Sequence, residues 1–127
     1  LEYYLVEERK YFLVAELEGH LVGYLTGCLD SEAAMPYFHD RVPSFALFKD
    51  HFREFPAHLH VNLASGARGL EIGSLLIQEF ASMALRGIHI VTSPQSRNRG
   101  FYKKNGFNFE VSRDLQGKAF LFMGKSA

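Results

Sequence analysis

Residues 65–74, Ser-Gly-Ala-Arg-Gly-Leu-Glu-Ile-Gly-Ser, join a stretch of alternating polarity to one of helical periodicity. A helix N-terminus leaves backbone N–H groups without intrahelical partners, and the helix dipole adds partial positive charge there. Glycine lets the backbone approach a ligand closely or adopt positive φ. The chemistry that suits such a loop is phosphate or pyrophosphate binding, here at Arg68, Gly69, Leu70, Glu71, Ile72, Gly73 and Ser74. An ordinary strand-to-helix connection has a similar composition, so the loop alone leaves both readings open. Histidines form the second set. His58 and His60 share one face of an alternating segment, and His89 lies in a later apolar run. Imidazole titrates near neutrality, so any of the three could take a proton from an ammonium group, directly or through water. They read equally well as polar residues packed on a sheet. No carboxylate or thiolate accompanies them to complete a zinc set, so no metal is expected.

The elements that must position these groups follow from periodicity. Residues 11–16 and 20–29 are rich in aromatic, β-branched and Leu residues and flank Glu18-Gly19, which predicts a hairpin. Residues 57–63 alternate, with Leu59, Val61 and Leu63 on one side and His58, His60 and Asn62 on the other. Ile72, Leu75, Leu76, Phe80 and Met83 follow at helical spacing, with Gly87 as a C′ glycine. Residues 88–92 read as a strand, 96–105 as a short helix before Gly106, and 107–111 and 119–123 as a hairpin about Gln116-Gly117. A helical crossover between two strands favours parallel pairing. The expected class is mixed α/β, with a mostly antiparallel sheet flanked by helices. Residues 31–56 form an insert with three prolines. In it Phe45, Phe48, Phe52 and Phe55 fall on one helical face behind Ser44, a candidate N-cap. That stripe reads as core or as an apolar lid, with Tyr37, Phe38, His39 and Asp40 beside it as candidate substrate contacts.

Bulk properties remove several function classes. At 127 residues the chain fits one domain. Basic and acidic residues number 14 each, and no run of Lys or Arg exceeds two, so a nucleic-acid footprint is not expected. Apolar stretches are broken well short of a membrane span. Cys28, the single cysteine, excludes an internal disulfide and suits a reducing, cytoplasmic setting. No Gly-Lys-Ser/Thr follows the loop, which disfavours a plain nucleotide-phosphate binder. The first residue is not Met, and the chain reads as beginning within a fold.

With both ends in view, residues 59–109 resemble the GNAT superfamily of acyl-CoA-dependent N-acyltransferases. That family carries Arg/Gln-x-x-Gly-x-Gly/Ala at the start of a helix after a strand, which stands here as Arg68, Glu71 and Gly73. A later Tyr-x-x-x-Gly-Phe element stands as Tyr102-Lys103-Lys104-Asn105-Gly106-Phe107. Glu71 replaces the first family glycine. Gln95 stands where Asn often contacts the cofactor, and Asn98 where a small Ala is usual. The family's first strand and two N-terminal helices have no counterpart here.

The resemblance implies an acetyl-CoA cofactor and direct attack by an amine on the thioester. Backbone N–H groups of Leu63 and Ala64 would hold the carbonyl and pantetheine arm, between strands that splay apart. Tyr102 occupies the usual general-acid position, and a phenol of pKa ~10 is protonated at neutral pH. The acceptor would be a small-molecule or peptide amine, and a homodimer is compatible with the family. The alternative is a catalytically impaired domain serving recognition or dimerisation. Glu71, Gln95 and the missing helices favour that alternative; Arg68, Gly73 and Tyr102 favour the enzyme.

Overall fold

The computed structural model describes residues 11–65, 71–84 and 86–126. Strands β1 (Phe12–Leu17) and β2 (His20–Cys28) form the first hairpin. Its turn residues Glu18 and Gly19 both have positive φ, 52° and 82°, the geometry that matches strand twist in two-residue turns. Helix α1 (Ser31–Arg41) follows, then a 3₁₀ segment (Phe45–His51), β3 (Ala57–Leu63), α2 (Ile72–Ala81), β4 (Gly87–Thr92) and α3 (Asn98–Lys104). The chain closes with the hairpin β5 (Phe109–Leu115) and β6 (Lys118–Ser126) about Gln116-Gly117. The sheet order is β1-β2-β3-β4-β6-β5, antiparallel except for the parallel pair β3–β4. This is the mixed α/β class expected from the alternation of periods.

Helices α2 and α3 cover one face. Leu76, Ile77 and Phe80 of α2 pack with Leu25, Leu59, Ile88 and Ile90 of the sheet, joined by Tyr102 and Phe107. Each large side chain buried here contributes about 1.5–3 kcal/mol. The other face is aromatic: Phe48, Phe52, Phe55 and Phe122 form one cluster, and Cys28, Ala34 and Phe38 another.

The insert departs from the expectation. Its first half is a true helix, α1, in which Asp30 caps the N-terminus by accepting from the Ala33 N–H at 3.0 Å. Pro36 lies inside that helix and forfeits one backbone bond, since it has no N–H to donate. The phenylalanines do not share one α-helix. Phe48, at φ −115° and ψ 23°, kinks the 3₁₀ segment, and the Ser44 side chain makes no capping bond. The kinked backbone carries Phe48 into the aromatic core, 5.3 Å from Phe122 between ring centroids. A bidentate pair from Arg113 to Asp50, at 2.6 and 2.8 Å, ties the segment to β5. Gly87 is likewise not a helix cap. Helix α2 stops at Ala81, and Gly87 opens β4, where a Cβ would collide with the Glu54 carbonyl and the Phe55 ring.

Candidate functional site

Strands β3 and β4 pair only at Ala57↔Ile88 and His58↔His89, then diverge. Beyond that point one edge of β3 faces a gap. Backbone alternation says which groups face it. The Ala64 N–H donates to the Val22 carbonyl at 2.8 Å, so even-numbered β3 residues bond to β2. In an antiparallel ladder the intervening residues turn their N–H groups the other way. Val61 and Leu63 therefore present N–H groups to the gap, and Ala64 does not.

On the helical face the gap opens into a cleft of about 490 Å³. Val61 and Leu63 line it from β3, Ile72, Gly73 and Ser74 from the start of α2, and Asn98, Phe101 and Tyr102 from α3. Gly73 is required by close approach: a Cβ there would lie 2.9 Å from the Phe101 ring and 3.2 Å from Leu63. Glu71, the residue preceding α2, is left-handed at φ 61°, and its carboxylate lies 3.9 Å from the Lys104 ammonium, both largely exposed. Tyr102 is 8% exposed, and burial pushes its phenol up to about 12. Gln95 lies off this cleft, its amide oxygen accepting from the Ser93 hydroxyl at 3.2 Å. Arg68, Gly69 and Leu70 lie outside the described residues. Val61 and Phe101 were not singled out from sequence; both look like core residues until the gap is known.

The opposite face carries the histidines around a second cavity of about 220 Å³. His58 and His89 are buried, 5.7 Å apart between ring centroids. His60 lies two residues beyond His58 on β3 with part of its surface exposed, yet its ring is covered enough that burial lowers its pKa. Hydrogen bonds fix both buried tautomers. The Ser31 hydroxyl donates its one proton to the Pro56 carbonyl at 2.6 Å, so it accepts from His58 Nδ1 at 2.7 Å. His89 Nδ1 donates to the Phe55 carbonyl at 2.7 Å. Both rings therefore carry the lone pair on Nε2. Burial lowers the His58 pKa well below the usual imidazole range and lowers His89 to about 4, so both are neutral at pH 7. His89 is also stacked between Phe52 and Phe122, at 5.0 and 4.7 Å. No sequence signal marks Ser31, which meets His58 across 27 residues. Among the described residues no three His, Cys, Asp or Glu are grouped to hold a metal ion, and no helix is long and apolar enough to cross a membrane.

A cleft fed by free strand N–H groups and a helix N-terminus, with a protonated phenol beside it, has the geometry of the splayed-strand fold that the sequence resembles. Known structures agree. The chain matches the crystal structure of SsHAT with a TM-score of 0.67 at 20% identity, over 98% of this chain and 75% of that one. Ard1 from Thermoplasma volcanium aligns with a TM-score of 0.68 at 16% identity, over 99% and 76%. The ribosomal-protein-alanine N-acetyltransferase from Brucella melitensis aligns with a TM-score of 0.61 at 24% identity, over 99% and 75%. At these identities the likeness is one of fold. No curated protein matches the sequence. The model of the acetyltransferase (GNAT) domain matches residues 8–109, most of the chain, and the protein belongs to that family.

Proposed function

We propose that this domain is an acetyl-CoA-dependent N-acetyltransferase in which an amine, entering from the histidine face, attacks at the β3–β4 gap. The observation that carries this reading is the lapse in strand pairing after His58↔His89, with a cavity on each face of the same strand.

The residues present fit the cofactor. Val61 and Leu63 N–H groups are donors for an extended, amide-bearing arm and for the thioester oxygen. The start of α2 offers N–H groups and positive potential to a pyrophosphate. The missing side chain of Gly73 keeps that approach open. When bound, acetyl-CoA supplies an activated acetyl thioester. The chain's own residues then have two proton tasks. Tyr102 keeps its proton throughout the neutral range, because burial opposes the phenolate, and is the acid for the leaving sulfur. His58 and His89 are too weakly basic to store a proton at pH 7. The His89 Nε2 lone pair orients an amine by accepting its N–H, and the released proton passes to water. Preorganised dipoles at a gap between strands stabilise developing charge more than water would.

Calorimetric titration with acetyl-CoA, paired with hydrogen exchange, tests the reading. Protection over residues 61–63, 72–77 and 98–102 is expected; saturable binding with protection elsewhere would overturn the placement. Glu71 favours a second reading, a domain whose cofactor affinity is impaired, because its carboxylate lines the cleft. Absence of binding at millimolar acetyl-CoA would select that reading.

A further inference from the structure

The cavity on the histidine face specifies more than an amine. Phe38, Val42, Phe45, Val91 and Phe120 supply its apolar wall. Among the described residues that line it there is no Asp or Glu. The one formal charge among those described residues is the Lys118 ammonium, 5.3 Å above the Phe120 ring at the start of β6. His58 and His89 are neutral, with tautomers set by the Ser31 hydroxyl and the Phe55 carbonyl. A second cationic group entering this space would lose hydration against apolar rings and meet Lys118 as a like charge. An uncharged apolar group would meet rings instead. Phe38 and Phe45 stack at 4.7 Å, and Phe45 meets His58 edge-on at 5.5 Å. Size is also informative: a dry cavity of about 150 Å³ accepts benzene. At about 220 Å³ this one has room for a single ring and a short arm.

We propose that this cavity is an acceptor pocket for a primary amine whose remainder is apolar and about one ring in size, and that it excludes polyamines. The proposal rests on the acetyltransferase reading for its reaction, but the pocket's ligand preference is measurable without turnover.

The test uses the full chain and three probes: benzylamine, spermidine and an unblocked tetrapeptide beginning with Ala. In heteronuclear NMR, benzylamine should shift resonances of Phe45 and His58, and spermidine should not. In acetyl-transfer assays, kcat/KM for benzylamine should exceed that of each other probe at least about tenfold. Ser44→Glu places a carboxylate on the wall, and should raise the spermidine-to-benzylamine ratio about tenfold or more. A tenfold preference for spermidine or the peptide overturns the proposal, as does a ratio unmoved in a Ser44→Glu protein with wild-type circular dichroism. Absence of benzylamine shifts overturns it whatever the rates. Benzylamine shifts at Phe45 and His58 without any acetyl transfer would uphold the pocket and defeat the transferase reading. Transfer to another amine class without those shifts would do the reverse.

Discussion

Ser31 Oγ and His58 Nδ1 lie 2.7 Å apart, and the same hydroxyl is 2.6 Å from the Pro56 carbonyl. One proton on Ser31 cannot serve both partners, so the relay runs from His58 to Ser31 to Pro56. It fixes the tautomer of a histidine on the cavity wall from the first residue of α1, at the far end of the insert.

Ser31→Ala breaks that relay. The buried His58 imidazole N–H loses its hydroxyl partner, while the Pro56 carbonyl keeps the backbone N–H of residue 31 at 2.7 Å; the loss costs about 1–3 kcal/mol of stability. A purely structural role would end there. A positioning role adds a change in tautomer: ¹⁵N shifts should show His58 protonated at Nδ1 in the wild type and a mixture in the variant. A single unchanged tautomer in Ser31→Ala would refute the relay.

Tyr102→Phe should lower turnover by about 10²–10⁴-fold with little change in acetyl-CoA affinity. Because the Tyr102 phenol is raised to about 12, the wild-type rate should not fall between pH 7 and 10 for want of this acid. Unchanged turnover in the variant would return Tyr102 to packing between Phe101 and Phe107.

Stability should fall as the solution is acidified from pH 7 to pH 4. An unfolded histidine titrates near 6.5, whereas buried His89 titrates at about 4, so between those values the unfolded chain binds more protons. Stability therefore rises with pH across that window. His89 alone contributes about 3 kcal/mol at pH 7 relative to pH 4, and His58 acts in the same direction. Urea unfolding at several pH values checks this. His89→Gln should flatten the slope; an equal slope would place its origin elsewhere.

Glu71→Gly removes a left-handed non-glycine residue and a carboxylate from the cleft in one step. Relief of the left-handed strain, about 1–2 kcal/mol, is partly offset by glycine's entropy, leaving a gain of about 0.5–1 kcal/mol. Acetyl-CoA affinity should rise about tenfold, since like-charge repulsion with phosphate is gone. Titration of both proteins at matched salt measures it. Equal, tight binding would show that the pairing with Lys104 already turns the Glu71 charge aside.

Gly73→Val should abolish acetyl-CoA binding, because the new side chain meets Phe101 and Leu63 on the cleft wall. Circular dichroism should retain the fold, and calorimetry should show no heat. Wild-type affinity would mean the cleft yields more readily than its packing implies.

Much of the fold was legible because its signals are local. The two-residue period of β3 and the helical spacing of α2 are properties of consecutive side chains. So are the hairpin turns, where Glu18-Gly19 and Gln116-Gly117 take the positive φ that such turns need. Those periods also put His58 and His60 on one face and brought Gly73 to a helix start. What they could not contain is register between distant segments. The gap exists because β3 and β4 pair over two residues and then diverge, a relation between segments some thirty residues apart. The insert shows the same division. Its phenylalanines have helical spacing, yet burial beneath Phe122 outweighed the local preference and kinked the backbone at Phe48. Sequence alone thus determined which elements form and which residues share a face. Only the tertiary structure decided that Val61 and Leu63, rather than Ala64, turn their N–H groups to the gap, and that Ser31 reaches His58. Both outcomes are set by strand pairing and packing across long separations in sequence, where no local pattern records the partner.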